Sequence, residues 1–166
     1  MVKEIPLTQG KVALVDDEDY ERVNQHKWYA RFNHGNWYAE RGQWDYAIKK
    51  VKDIKMHRLI ISAPKDVQVD HINGDGLDNQ RCNLRIVTQS QNQRNMKKRT
   101  KRKYTSIYKG VCFDKERRKW VVSIYIDNKC RKIGRFKNEI DAARAYDEAA
   151  KKYFGEYARL NFPEIN

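Results

Sequence analysis

Asp70 and His71 stand side by side, Asn83 follows behind a polar loop, and Asn92 lies nine residues further on. These residue types suit the hydrolysis of a phosphodiester. That reaction needs a base to activate water, and a cation to hold the phosphate and stabilise the leaving oxygen. An imidazole, with an ordinary pKa of about 6.5, is a suitable base at neutral pH. Asp70 and Asn92 offer hard oxygen ligands, which select Mg²⁺ or Mn²⁺ over zinc. Two protein oxygens would leave room on the ion for water and a substrate phosphate. Neighbours in an extended strand point to opposite sides, so a turn at the strand end is needed to bring Asp70 and His71 into one site. Asn83 sits where the loop rejoins a second strand, and its amide can tie the hairpin together. Asp75, Asp78 and Asn79 read as turn residues only. Ser90 has no base or orienting acid at a useful spacing, so no serine nucleophile is expected.

The elements that must position this set follow from local pattern. Residues 67–71 and 84–87 read as strands, 73–79 as a turn-rich loop and 89–96 as a polar helix. Upstream, residues 11–15 form an apolar run that reads as a strand, and residues 16–19 can cap a brief helix reaching Gln25. Residues 28–32 and 37–41 flank Asn33-His34-Gly35-Asn36, a good hairpin turn. Residues 53–62 space their apolar side chains as a helix ended by Pro64. His57 lies on one face of that helix, with a buried or structural role expected. Downstream, three short strands at 108–113, 120–126 and 131–136 precede a helix over 138–153, with Asn138 as its N-cap and Gly155 as its C-cap. Trp120, Val122 and Ile124 then face the helix, and Val121, Ser123 and Tyr125 face away.

Charge is uneven along the 166 residues. The net charge is +13. Residues 1–96 carry 15 basic and 13 acidic side chains, residues 97–106 six basic and none acidic, and residues 107–166 14 basic and 9 acidic. A surface this basic attracts polyanions. Six cations within residues 97–103 release counterions efficiently on a phosphate backbone, so Lys97, Lys98, Arg99, Lys101, Arg102 and Lys103 are expected to contact DNA. Three cysteines without a C-x-x-C pair argue against a disulfide framework and a zinc cage. The expected setting is a reducing cytoplasm, in a bacterial host, with no signal segment and no membrane span.

The residues D-H-x-N-G-D-x-x-D-N at 70–79, N-L-R at 83–85 and T-x-x-x-N at 88–92 resemble the HNH nuclease family, in the form found in phage and intron-encoded endonucleases. The resemblance extends over about residues 5–96, through I-P-L-T-Q-G-K-V-A-L-V-D at 5–16 and M-H-R-L-I at 56–60. It implies a strand–strand–helix metal finger with His71 as general base and Asn83 as the structural asparagine of the catalytic set. Asp70 and Asn92 would hold one divalent cation. Zinc-bearing members flank the motif with paired cysteines, which this chain lacks. Residues 107–163 resemble the plant ethylene-response-factor DNA-binding domain of apetala-two type, through Y-K-G-V at 108–111, K-W-V-V-S-I at 119–124, I-G-R-F at 133–136, A-A-R-A-Y-D at 142–147 and L-N-F-P at 160–163. That resemblance implies a sheet entering the major groove, braced by a helix.

The reading is an α+β chain in three parts. Residues 1–96 form a ββα-metal HNH nuclease domain, residues 97–106 a basic linker, and residues 107–166 a three-stranded antiparallel sheet packed on one helix. Its expected activity is metal-dependent, site-directed endonuclease cleavage of double-stranded DNA, of homing type. The expected cofactor is one Mg²⁺ or Mn²⁺ per active site and no zinc. Arg85 and Arg94 are candidate phosphate partners. Lys109, Ser123, Tyr125, Arg131, Lys132 and Arg135 are candidate DNA contacts of the C-terminal domain. One site suits one strand, so a monomer nicks and a dimer is needed to cut both; the sequence shows no dimer seam. The rival reading is a DNA-binding regulator with a decayed nuclease half, against which the intact Asp70, His71, Asn83 and Asn92 set argues. An RNA-binding module is disfavoured by the lack of exposed aromatics patterned for single-stranded bases.

Overall fold

Ile5, Ala13 and Val15 alternate with more exposed residues, and the strands that carry them pair antiparallel as β1 (Val2–Pro6) and β2 (Val12–Asp16). Helix α1 (Asp17–Asn24) follows at once. Its first turn holds Asp17, Glu18 and Asp19, the charge sign that suits the positive end of a helix. A second sheet has the order β3 (Tyr29–Asn33), β4 (Asn36–Asp45), β5 (Lys50–Lys55). The β3–β4 turn places His34 and Gly35 at positive φ (51° and 87°), where glycine is at ease. Helix α2 (Met56–Ile60) leads to the third sheet, β6 (Gln68–His71) paired with β7 (Leu84–Val87), and then to α3 (Gln89–Asn95). One core gathers Ile5, Ala13, Val15, Val23, Trp28, Ala39, Met56, Ile60 and Leu84. The structure is a computed structural model that describes residues 1–98, 104–127 and 129–163. The chain divides into two compact units, Met1–Asn92 and Gln93–Asn166.

The C-terminal unit is a sheet of order β10 (Lys129–Phe136), β9 (Lys119–Ile126), β8 (Val111–Asp114), covered by α4 (Glu139–Phe154). Ala142, Ala143, Ala149 and Ala150 bring the helix close to Val111, Val122 and Ile124, with Tyr146 and Phe154 filling the gap. Asn138 caps α4, its Oδ1 accepting from Ile140 N at 2.7 Å.

The chain mixes helix with several small antiparallel sheets, three in the N-terminal unit and one in the C-terminal unit among the described residues, an arrangement compatible with α+β. Two local expectations change. The helix read over 53–62 begins only at Met56, because residues up to Lys55 pair with β4 (Glu40↔Lys55 through Asp45↔Lys50). Strand β1, unforeseen, forms because β2 offers it a full register from Val2↔Asp16 to Pro6↔Val12. Among the described residues, no helix is long and apolar enough to cross a membrane.

Candidate active site

The loop from 72 to 83 is built from its own polar side chains. Asn73 Oδ1 accepts from Asp75 N (2.8 Å), Asp75 Oδ1 from Leu77 N (3.0 Å), and Asn73 Nδ2 donates to Asp78 Oδ2 (2.7 Å). These are the turn roles expected of Asp75 and Asp78. Asn83 closes the loop. Its Oδ1 accepts from Asn73 N at 2.9 Å, and its Nδ2 donates to Asn73 Oδ1 at 3.1 Å and Asp78 O at 2.8 Å. Asn83 therefore ties the hairpin, and the bonds it makes are structural ones. The loop is anchored on the rest of the unit. Leu14 N donates to Leu77 O, and Asn79 N to Leu14 O (2.9 and 2.8 Å). Arg81 N donates to Asp16 Oδ2 (2.7 Å), and its guanidinium grips the buried Asp19 at 2.6 and 2.9 Å. Arg22 reaches the same carboxylate at 2.6 Å. The Asp16, Glu18, Asp19 cluster thus serves arginine anchoring.

His71 ends β6, and only 5% of the residue is exposed. Its Nε2 lies 3.3 Å from Asn79 Oδ1, while Asn79 Nδ2 donates to Leu77 O at 3.1 Å. Since the amide nitrogen is used on Leu77, the oxygen must accept from the imidazole. The tautomer that results carries its proton on Nε2 and its lone pair on Nδ1. Burial lowers the His71 pKa from its ordinary value, against the opposing pull of Asn79 and of the Asp70, Asp75 and Asp78 charges, which favours the neutral ring. Asn79, 0% exposed, is therefore more than a turn residue: it orients the His71 imidazole. Two further rings wall His71 in. His57 stands edge-on at 4.9 Å between centroids and Tyr38 at 6.0 Å. His57 is buried as expected, and burial, followed by the neighbouring His71, Lys55 and Arg58 charges, pushes its pKa down to about 2.

This buried imidazole gives a stability prediction. His57 must stay neutral in the fold but protonates freely when unfolded. Its folded pKa is depressed, so its contribution is complete above pH ~6.5 and is lost progressively below it, at about 1.4 kcal/mol per pH unit. Urea midpoints measured from pH 7.5 to 4.5 should fall steeply for the wild type and less steeply for His57→Phe. Parallel curves would remove His57 as the cause.

The Asp70 side chain leaves β6 on the other face. Arg85, its cross-strand partner, places Nε and Nη2 on Asp70 Oδ2 at 3.1 and 2.9 Å. Gln68 shares that face by alternation, and Asn92 Nδ2 donates to Gln68 Oε1 at 2.6 Å. The amide nitrogen of Asn92 is thereby turned to the strand, so its carbonyl oxygen is the atom that a cation would meet. A carboxylate and an amide oxygen on one side of a hairpin fit a hard divalent cation such as Mg²⁺. Arg85 is a partner of that carboxylate in this structure, rather than an open phosphate clamp.

The candidate DNA contacts fall into groups. Cross-strand pairs Ser123↔Lys132 and Tyr125↔Cys130 lie on the face of the sheet opposite α4, where Tyr125 is 70% exposed. Arg135, opposite Val121, joins them. Arg131 does not, because it pairs with Ile124 on the helix-covered side. The Lys98 ammonium is taken by Ser106 O, Tyr108 O and Val111 O at 2.8, 2.7 and 3.2 Å. The Lys109 ammonium is taken by Arg94 O and Met96 O at 2.5 and 2.8 Å. Both lysines hold backbone carbonyls, a role invisible in a charge run. Arg94 stacks on Phe154, 4.9 Å from the ring centroid. Lys97 is exposed. Arg99, Lys101, Arg102 and Lys103 lie outside the described residues.

Residues 62–94, which hold Asp70, His71, Asn79, Asn83 and Asn92, match the HNH endonuclease family profile. The chain is 28% identical over 160 residues to an uncharacterized HNH endonuclease, L560, of Acanthamoeba polyphaga mimivirus, an alignment covering 92% of this chain and 76% of the viral protein. It is 45% identical over 62 residues to dehydration-responsive element-binding protein 2C of Arabidopsis thaliana, covering 35% of this chain and 17% of the plant protein. It is 29% identical over 97 residues to protein 3.8 of Escherichia phage T7, covering 58% of this chain and 78% of the phage protein. The family match and the viral relative support a nuclease role, and the plant relative supports a DNA-binding one.

Proposed function

We propose that this chain is a divalent-metal-dependent endonuclease that nicks duplex DNA at a chosen site. The observation that carries the reading is the His71–Asn79 pair. A neutral imidazole, fixed in one tautomer by a fully buried amide, sits next in sequence to a carboxylate on a hairpin that matches the HNH profile. Asp70 and Asn92 would hold a Mg²⁺ or Mn²⁺ ion, whose chemistry is to neutralise the phosphate and stabilise the departing oxygen. The chain's own part is proton transfer and placement. His71 Nδ1 accepts a proton from the attacking water, and Asn79 keeps Nε2–H engaged while the ring gains charge. Asn83 holds the loop that presents Asn79. The reaction centre would then lie at the C-terminal end of β6, beyond His71, where the chain turns and Gly74 N donates to His71 O.

The sheet face of Ser123, Tyr125, Lys132 and Arg135 is suited to a DNA groove, since a major groove admits a β-ribbon. A cutting unit joined to a sheet that reads sequence suits a homing enzyme. The test uses supercoiled plasmid. Purified protein with Mg²⁺ should convert it to the nicked form, and EDTA should stop the conversion. Asn92→Ala should need a higher Mg²⁺ concentration for half-maximal rate. A wild type that shifts duplex DNA on a gel but leaves the plasmid supercoiled in Mg²⁺ and in Mn²⁺ would overturn the nuclease reading.

A further inference from the structure

One cavity of the C-terminal unit, about 260 Å³, is lined by Lys97, Lys98, Tyr108, Lys109, Arg159 and Asn161, with Ile107 and Leu160 completing its wall. Half of these eight residues are cationic and none is acidic. The two inner cations are fixed. The ammonium groups of Lys98 and Lys109 are held by carbonyl oxygens, which satisfy their donors without cancelling their charge. The floor is also rigid. Asn161 Oδ1 accepts from Lys109 N at 2.7 Å, and its Nδ2 donates to Lys109 O at 3.2 Å. Asp147 in turn accepts from the backbone N–H groups of Asn161 and Phe162.

Like charges brought together away from water repel. Burial, with the Arg159 charge adding to it, pushes the Lys109 ammonium down to about 8. On Lys98 burial acts in the same direction, opposed by Cys112 and by Glu139, a carboxylate that does not line the cavity. An oxyanion in the cavity would relieve this repulsion. A tetrahedral phosphate suits it, because Lys97 and Arg159 can donate to its oxygens while the Lys98 and Lys109 charges attract it at longer range.

We propose that the cavity between segments 97–98, 107–109 and 159–161 seats a phosphate of the nucleic-acid backbone. The site is off the sheet face of Ser123, Tyr125, Lys132 and Arg135, so it adds a positioning contact that carries no sequence information. The proposal rests on the DNA-binding reading for the source of the phosphate, and on the cavity alone for the anion.

The experiment uses the full chain and keeps the carbonyl-holding lysines intact. The double variant Lys97→Gln/Arg159→Gln is compared with wild type and with Arg159→Lys, which keeps the charge. Inorganic phosphate should raise the wild-type Tm by a few degrees over chloride at matched ionic strength. The double variant should lose this shift and Arg159→Lys should keep most of it. In duplex DNA titrations, the double variant should bind more weakly, with a plot of log affinity against log salt shallower by about 0.9, the value for one phosphate contact. Unchanged DNA affinity and salt slope, with the phosphate shift lost, would make this a free-anion site and overturn the backbone source. No phosphate shift in the wild type would overturn the anion site itself. Loss of duplex binding by the wild type, with the phosphate shift retained, would sink the DNA reading and leave the anion site standing.

Discussion

His71→Ala should lower the plasmid-nicking rate by about 10²–10⁴, the usual share of a general base, while duplex affinity stays within about twofold of wild type. A residue that acts only in the transition state lowers turnover without loosening the ground-state complex. Asn79 sharpens the test, because any part it takes in turnover passes through the imidazole. Asn79→Leu keeps the branching of the side chain but removes the acceptor for Nε2–H. Its nicking rate should fall by about 10–100-fold, the range seen when a partner that orients a functional side chain is lost. Loss of turnover alone does not separate orientation from a deformed loop, so the second readout is spectroscopic. The ¹⁵N shifts of His71 should report one tautomer in the wild type and a mixture in Asn79→Leu. His71→Ala that still nicks at the wild-type rate in Mg²⁺ would sink the base assignment. A single tautomer in both proteins would sink the role of Asn79.

How far these residues were legible in the sequence depends on whether their chemistry is local. Asp70 and His71 were legible because adjacent residues need no fold to be brought together. The turn roles of Asp75 and Asp78 were legible for the same reason, since each bonds a backbone N–H two residues on. Asn79 was not. By composition it is one more turn residue, and only the return of the loop onto β2 aims its amide at a ring eight positions earlier. His57 was legible as buried but not as a wall of the site, because the edge-on contact with His71 joins α2 to β6 across the core.

The same distinction explains the strand at 50–55. The apolar spacing over 53–62 draws residues 53–55 into a helix, and the deciding partner, the ten-residue β4, is revealed only by pairing. Charge runs mislead in a similar way. Lys98 and Lys109 look like phosphate contacts until the chain brings backbone carbonyls to their ammonium groups. Alternation in β9 was enough to sort Ser123 and Tyr125 from Val122 and Ile124. In β10 alternation from Lys132 sends Arg131 to the helix side, whereas the register shift between Lys132 and Gly134, which no sequence pattern announces, is what returns Arg135 to the face of Lys132.

Gly110→Ala should unfold the C-terminal unit and spare the nuclease hairpin. Gly110 has φ +74°, a conformation that L side chains rarely adopt, and a Cβ built there would sit 2.0 Å from Tyr146 Cδ2 and 2.9 Å from Ser123 O. The residue cannot move away freely, because its carbonyl accepts from Ser123 N at 3.0 Å. Nor can the ring, which is packed among Val111, Val122, Ile124 and the alanine face of α4. Backbone strain of about 1–3 kcal/mol and overpacking of similar size add to roughly 2–6 kcal/mol. A unit of this size holds only a few kcal/mol in total, so the loss is enough to unfold it. Hydrogen exchange on the full chain separates the units. Amides of β8, β9 and α4 should lose protection in the variant, and those of β6 and β7 should keep it. Sequence-selective duplex binding should vanish with the sheet, whereas metal-dependent nicking of plasmid at high protein concentration should persist, because His71, Asn79 and Asp70 belong to the other unit. A variant that keeps full protection across β8 and β9 would show that the Tyr146 ring can yield, and would remove the close approach at Gly110 as the device that sets the sheet on its helix.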